Sequence, residues 1–188
     1  MDLQFFRKQK ILVTDTDVLF FLLKKKDFDK AIKVFRYLFL KFQWIFVPPM
    51  VIKEYSYFKT GKLIARRERE LKKLFKTFER IIECPVHANK KEINGIPVDS
   101  GEAEALIQIM KLQSAVTDAD VYLLSNDTGA LEWAQKNNIK TYPYQEIERS
   151  HASNGYCVTI NIPSINILHS KFRSSCFQSL FALILANA

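Results

Sequence analysis

A chain of 188 residues with 48% hydrophobic and 26% charged residues is long enough for one packed domain and too apolar for a disordered segment. Its formal charge of +8 favours polyanionic partners, nucleic acid before an anionic membrane surface. Cys84, Cys157 and Cys176 are odd in number and widely spaced, which argues against a disulfide framework and a cysteine zinc site. No apolar stretch near the start suits a secretory signal and none is long enough to span a bilayer, so a cytoplasmic chain with no membrane partner is expected.

Residues 11–13 are a short apolar, partly β-branched run ending in Thr14 and Asp15. That is the pattern of a buried strand delivering polar residues at its C-terminal end. Residues 18–24 predict a short helix. Residues 27–42 predict another, with Ala31, Ile32, Val34, Phe35, Leu38 and Phe39 at helical spacing. A second strand is expected over 44–47; Pro48 and Pro49 end it and open a helix over 50–58 that carries Glu54.

The spacing predicts a long helix over 62–82. Ile64, Leu71, Phe75, Phe78 and Ile82 share one face, and Lys62, Arg66, Arg69, Lys73, Lys76 and Arg80 share the opposite one. Residues 85–97 read as a loop. A helix over 102–110 is entered through Asp99, Ser100 and Gly101. A strand over 121–124, a helix over 129–136 and a strand over 139–142 follow.

Strands alternating with helices predict an α/β fold around a mostly parallel sheet, with polar loops gathered at the C-terminal strand ends. Composition shifts near residue 150: no Asp or Glu occurs from His151 to Ala188. Residues 1–148 are therefore expected to form one domain, and 149–188 a C-terminal extension with a strand near 158–162 and a helix near 177–186.

Four segments each bring a carboxylate toward the same sheet edge: Asp15, Glu54, Glu102 and Asp127. Packed carboxylates raise one another's pKa, and a hard divalent cation with oxygen ligands is the usual compensation. Plainer roles exist for each. Asp99 and Ser100 suit a helix cap, Glu102 the positive end of that helix, Glu54 a solvated surface and Asp127 a turn.

In this order the segments resemble the PIN-domain family. Ile11-Leu12-Val13-Thr14-Asp15-Thr16-Asp17 looks like its opening motif, and Val47-Pro48-Pro49 through Glu54 like its second. Asp99-Ser100-Gly101-Glu102-Ala103-Glu104-Ala105 is similar to a helix start in one branch of the family. Leu123-Leu124-Ser125-Asn126-Asp127 is similar to the fourth motif. The resemblance spans roughly residues 10–146. It implies a three-layer α/β/α sandwich with a mostly parallel central sheet and dependence on Mg2+ or Mn2+. It also implies endoribonuclease activity on RNA, a homodimer, and, for toxin members, a small inhibitory antitoxin.

Carried over residue by residue, Asp15, Glu54, Glu102 and Asp127 are the metal-site acids. Ser125 would orient a water or a neighbouring carboxylate. Asp99, Glu102 and Glu104 all compete for the third acid, and Asp17 and Asp120 are candidates to line the site. Lys62, Arg66, Arg69, Lys73 and Lys76 could grip RNA phosphates, form a solvated outer face, or bind an antitoxin. Two other functions compete. The first is a haloacid-dehalogenase-type phosphatase with Asp15 as nucleophile and Asp17 as general acid, which leaves Glu54 and Glu102 without a role. The second is a PIN-like module that binds RNA or a partner without cutting.

Overall fold

The structure is a computed structural model describing residues 2–24, 28–57, 61–116 and 118–147. The strand expected near 158–162 and the helix near 177–186 lie outside the described residues.

Five strands form one sheet: β1 (Lys10–Thr14), β2 (Trp44–Val47), β3 (Ile81–Glu83), β4 (Asp120–Leu124) and β5 (Lys140–Thr141). Every pairing is parallel, and the order is β3-β2-β1-β4-β5. The helices are α1 (Thr16–Lys24), α2 (Phe28–Leu38), α3 (Pro49–Ser56), α4 (Ala65–Thr77), α5 (Lys90–Ile93), α6 (Ser100–Ala115) and α7 (Thr128–Lys136).

Side chains of a strand alternate between its two faces, so each strand feeds two cores. Leu12, Ile45, Val47, Ile81 and Leu124 pack with buried residues of α1, α2, α3 and α4. Ile11, Val13, Phe46, Val121 and Leu123 pack with those of α5, α6 and α7. The result is an α/β/α sandwich. Double-sided burial explains why β1 and β2 read as unbroken apolar runs rather than alternating ones.

The long helix expected over 62–82 is shorter, and the sheet gains a strand that the periodicity hid. α4 ends at Thr77, Phe78 has extended backbone (φ −130°, ψ 101°), and Ile81–Glu83 pairs with β2. The Phe78 ring stacks toward Phe35 and Phe39, 5.9 and 5.4 Å between centroids. Ile81 and Ile82 are β-branched and gain more from the pleated edge than from another helical turn. Lys62 therefore precedes the helix and Arg80 follows it; neither belongs to its basic face.

Two smaller differences are local. α2 stops at Leu38 rather than 42, and Phe42 turns into the core against Tyr122 and Tyr142. The loop expected over 85–97 contains α5, opened by a capping box in which Asn89 and Glu92 satisfy each other's backbone N–H. Among the described residues no helix is long and apolar enough to cross a membrane.

α6 runs on to Ala115 and is buried along most of its length. One buried residue is out of character: Gln108 is 0% exposed, and neither its amide nitrogen nor its oxygen has a hydrogen-bond partner. A buried amide without partners costs about 1–3 kcal/mol. Gln108→Met, which keeps the length and removes the polar atoms, should raise stability by about 1 kcal/mol or more. Urea midpoints read this directly, and a midpoint at or below that of the wild type would refute it.

Candidate functional site

The strand order places a crevice before any side chain is considered. The chain steps outward from β1 to β2 and β3, then returns to the other side of β1 to lay down β4 and β5. The loops leaving β1 and β4 diverge, and in parallel sheets such a switch point is where sites form. Asp15 leaves β1, and Ser125 and Asp127 leave β4. The Asp15 backbone N–H donates to the Leu124 carbonyl at 3.2 Å, so the two exits are stitched together.

Asp15 sits between strand and helix with its side chain fully buried. One oxygen, Oδ1, accepts from the Val18 N–H at 2.9 Å and so caps α1. The other, Oδ2, is buried without a hydrogen-bond partner. Burial pushes this carboxyl up to about 6. Ser125 and the Asn126 and Val18 N–H groups pull it partly back, and the charge of Asp17 adds to the rise.

Glu102 lies in the first turn of α6 and is 7% exposed. Its Oε2 is also buried and unpartnered. Burial pushes its carboxyl up to about 7, and the charges of Asp15, Glu54 and Asp99 act in the same direction. These couplings place the four acids in one electrostatic neighbourhood. Asp99 occupies the N-cap position of α6, yet its side chain makes no capping hydrogen bond. The simple capping role therefore does not account for it.

Glu54 comes from the helix behind the two prolines. Its Oε2 accepts from the Thr16 hydroxyl at 2.6 Å. Gly101 packs against this hydrogen bond. Thr16 and Gly101 are the participants that the sequence reading left without a role. Their signals were a threonine directly after the strand-end aspartate and a glycine in a first helical turn, where better helix formers are common.

Glu104 has different work. It is 6% exposed and accepts from the Met50 N–H at 2.5 Å. Pro49 has no N–H, so Met50 offers the first donor of α3, and Glu104 satisfies it at the positive helix end. Of the three candidates for the third acid, Glu104 is thus engaged in holding the helix that carries Glu54.

Asp127 caps α7: its Oδ1 accepts from the Ala130 N–H at 2.7 Å. Its own N–H donates to Ser125 Oγ at 3.0 Å. Ser125 is 1% exposed and faces Asp15 on its other side, so it links the two strand-end aspartates. Asp127 is half-buried and is not among the main charges acting on Asp15 or Glu102. Asp120 does not line this site. It begins β4, at the opposite sheet edge, and is paired with Lys140.

Arg66, Arg69, Lys73 and Lys76 of α4 are exposed but not all free. Arg66 pairs with Glu70 at 2.9 Å, Arg69 donates to the Ala65 carbonyl at 3.3 Å, and Lys73 stands 4.1 Å over the Phe28 ring. Lys76 is exposed in the last turn. Phe75 and Phe78 pack against the core, as their positions on the apolar face predict.

Two orphaned buried carboxylate oxygens and an all-oxygen donor set suit a hard divalent cation. As the side chains stand, however, no three His, Cys, Asp or Glu residues among the described ones form a group that could hold an ion. Asp15 and Asp127 each commit one oxygen to a cap. The donor chemistry fits a hard cation, while the acids as they stand are not closed around one. No protein-family model matches the chain, and no curated protein matches its sequence.

Proposed function

We propose that the chain is a metal-dependent, PIN-like endoribonuclease. One observation carries this reading. Asp15 and Glu102 are both buried and each has an unpartnered oxygen; Asp15 leaves β1 at the switch point of a parallel sheet, and its charge is felt by Glu102. Burying two such groups without partners is unfavourable for a scaffold and useful for a cation site.

Asp15, Glu102 and Glu54 would hold Mg2+ or Mn2+, with Asp99 and Asp127 as further oxygen donors nearby. When bound, such an ion supplies charge neutralisation for a phosphodiester and acidifies water. The chain's own groups do the rest. Ser125 keeps the Asp15 and Asp127 loops in register. In the metal-free chain burial holds the Glu102 carboxyl near 7, so a cation bound there would displace its proton. The exposed residues Arg66, Arg69, Lys73 and Lys76, with Lys62 in the preceding turn, supply positive charge for an RNA backbone. The family resemblance extends the proposal to a small inhibitory partner protein.

The test is cleavage of a mixed RNA pool by the purified chain, with Mg2+ or Mn2+ and with EDTA. Fragments that appear with metal and vanish with EDTA are expected. Hydrolysis of a phosphate monoester without RNA cutting would replace this reading with a phosphatase. RNA retention without cutting would replace it with a binding module.

A further inference from the structure

The Glu54 carboxylate is met by two groups that carry no charge. Thr16, 6% exposed, donates its hydroxyl to Glu54 Oε2 at 2.6 Å. Against this hydrogen bond lies Gly101 in the first turn of α6. A Cβ built on Gly101 would stand 2.4 Å from Glu54 Oε2, 2.7 Å from Thr16 Oγ1 and 3.2 Å from Glu54 Cδ. Real Cβ atoms do not approach this closely, so the slot exists only because residue 101 has no side chain. Glycine is otherwise a poor choice within a helix. Its place here follows from the close approach of the carboxylate, not from the backbone angles.

The obstruction also has a definite direction. The nearest atom, Glu54 Oε2, ends a flexible side chain and can move, whereas Thr16 Oγ1 is held one bond from the Cβ of a nearly buried β-branched residue. A methyl group at 101 would thus displace the carboxylate, at some cost in stability. Ligating carboxylates characteristically need such partners to hold their orientation, and loss of one costs about 10- to 100-fold in metal affinity.

We infer that Thr16 and Gly101 are positioning residues that hold the Glu54 carboxylate beside Asp15 and Glu102, and so set the affinity of this cluster for a divalent cation. The inference rests on the proposed reading of the acids as a cation site. It assigns a reason to the Thr after Asp15 and to the Gly before Glu102 in one contact.

The experiment is Mn2+ titration of the metal-free full chain, read by electron paramagnetic resonance, beside thermal unfolding in EDTA. Thr16→Val keeps the shape and removes the donor; Thr16→Ser keeps the donor; Gly101→Ala fills the slot. Thr16→Val and Gly101→Ala should bind Mn2+ about 10- to 100-fold more weakly. Thr16→Ser should bind close to the wild type. Thr16→Val and Gly101→Ala should both remain folded in EDTA at the temperature of the titration, even where Gly101→Ala unfolds somewhat earlier than the wild type. A purely structural contact would lower thermal stability and leave Mn2+ affinity unchanged. Wild-type affinity in folded Thr16→Val and Gly101→Ala overturns the inference and leaves the cation site standing. Absence of Mn2+ binding in the wild type overturns both.

Discussion

Asp15→Asn and Glu102→Gln should each lower metal-dependent RNA cleavage by roughly 10²- to 10³-fold, with the fold intact. Each substitution removes one anionic oxygen that is buried and has no other partner. Asn at 15 can still accept from the Val18 N–H through its carbonyl oxygen, so the α1 cap survives and the loss falls on function. Asp127→Asn should lose less, because Asp127 is half-buried and Asn caps α7 as well as Asp does. Glu104→Gln should keep most activity, since an amide oxygen can still accept from Met50. Initial rates on one RNA substrate rank the four variants. Equal losses at 102 and 104, or a greater loss at 127 than at 15, would refute the assignment.

In EDTA at pH 8, the inactive Asp15→Asn chain should be more stable than the wild type. The folded Asp15 carboxyl titrates near 6, above its ordinary 3.8, mainly because burial disfavours the charge. Between those values the folded state binds more protons than the unfolded one, so stability falls as pH rises through this window. Below the window both states are protonated and the penalty is absent; above it the penalty is complete. A rise from 3.8 to about 6 corresponds to about 3 kcal/mol at most. Glu102 acts in the same sense, with its window extending up to about 7, so some slope should remain in the variant. Denaturant unfolding at pH 4, 6 and 8 should therefore show the gap between Asn and wild type opening with pH. Saturating Mn2+ should then reverse it, because only the wild type gains binding free energy. A wild type that is the more stable at pH 8 in EDTA would contradict the burial account.

The strands whose apolar runs stand alone were legible. Ile11 to Val13, Trp44 to Val47 and Val121 to Leu124 all read as buried strands, and all sit inside the sheet. β3 was not legible, because Ile82 also continues the helical spacing of Leu71, Phe75 and Phe78. Period alone cannot separate a last helical turn from a short strand. The contest was settled by Phe78 packing on Phe35 and Phe39, residues some forty positions away in the chain.

At the site the division is similar. The sequence by itself put Asp15 and Asp127 at the ends of β1 and β4, since strand direction and strand ends are local properties. It also showed which residue types are available for a cation, though not which of them would act, and it left Asp120 at the wrong end of β4. Only the tertiary structure separated Glu102 from Glu104. Glu102 is left with an orphaned oxygen, while Glu104 is taken up by Met50 at the start of α3. Likewise, only the approach of α3 to α6 set Gly101 against Glu54, and only that of α3 to α1 gave Thr16 its partner. The physical reason is common to these cases. Hydrogen-bond partners and excluded volume depend on what another segment brings within a few ångströms, and no single segment's pattern carries that information.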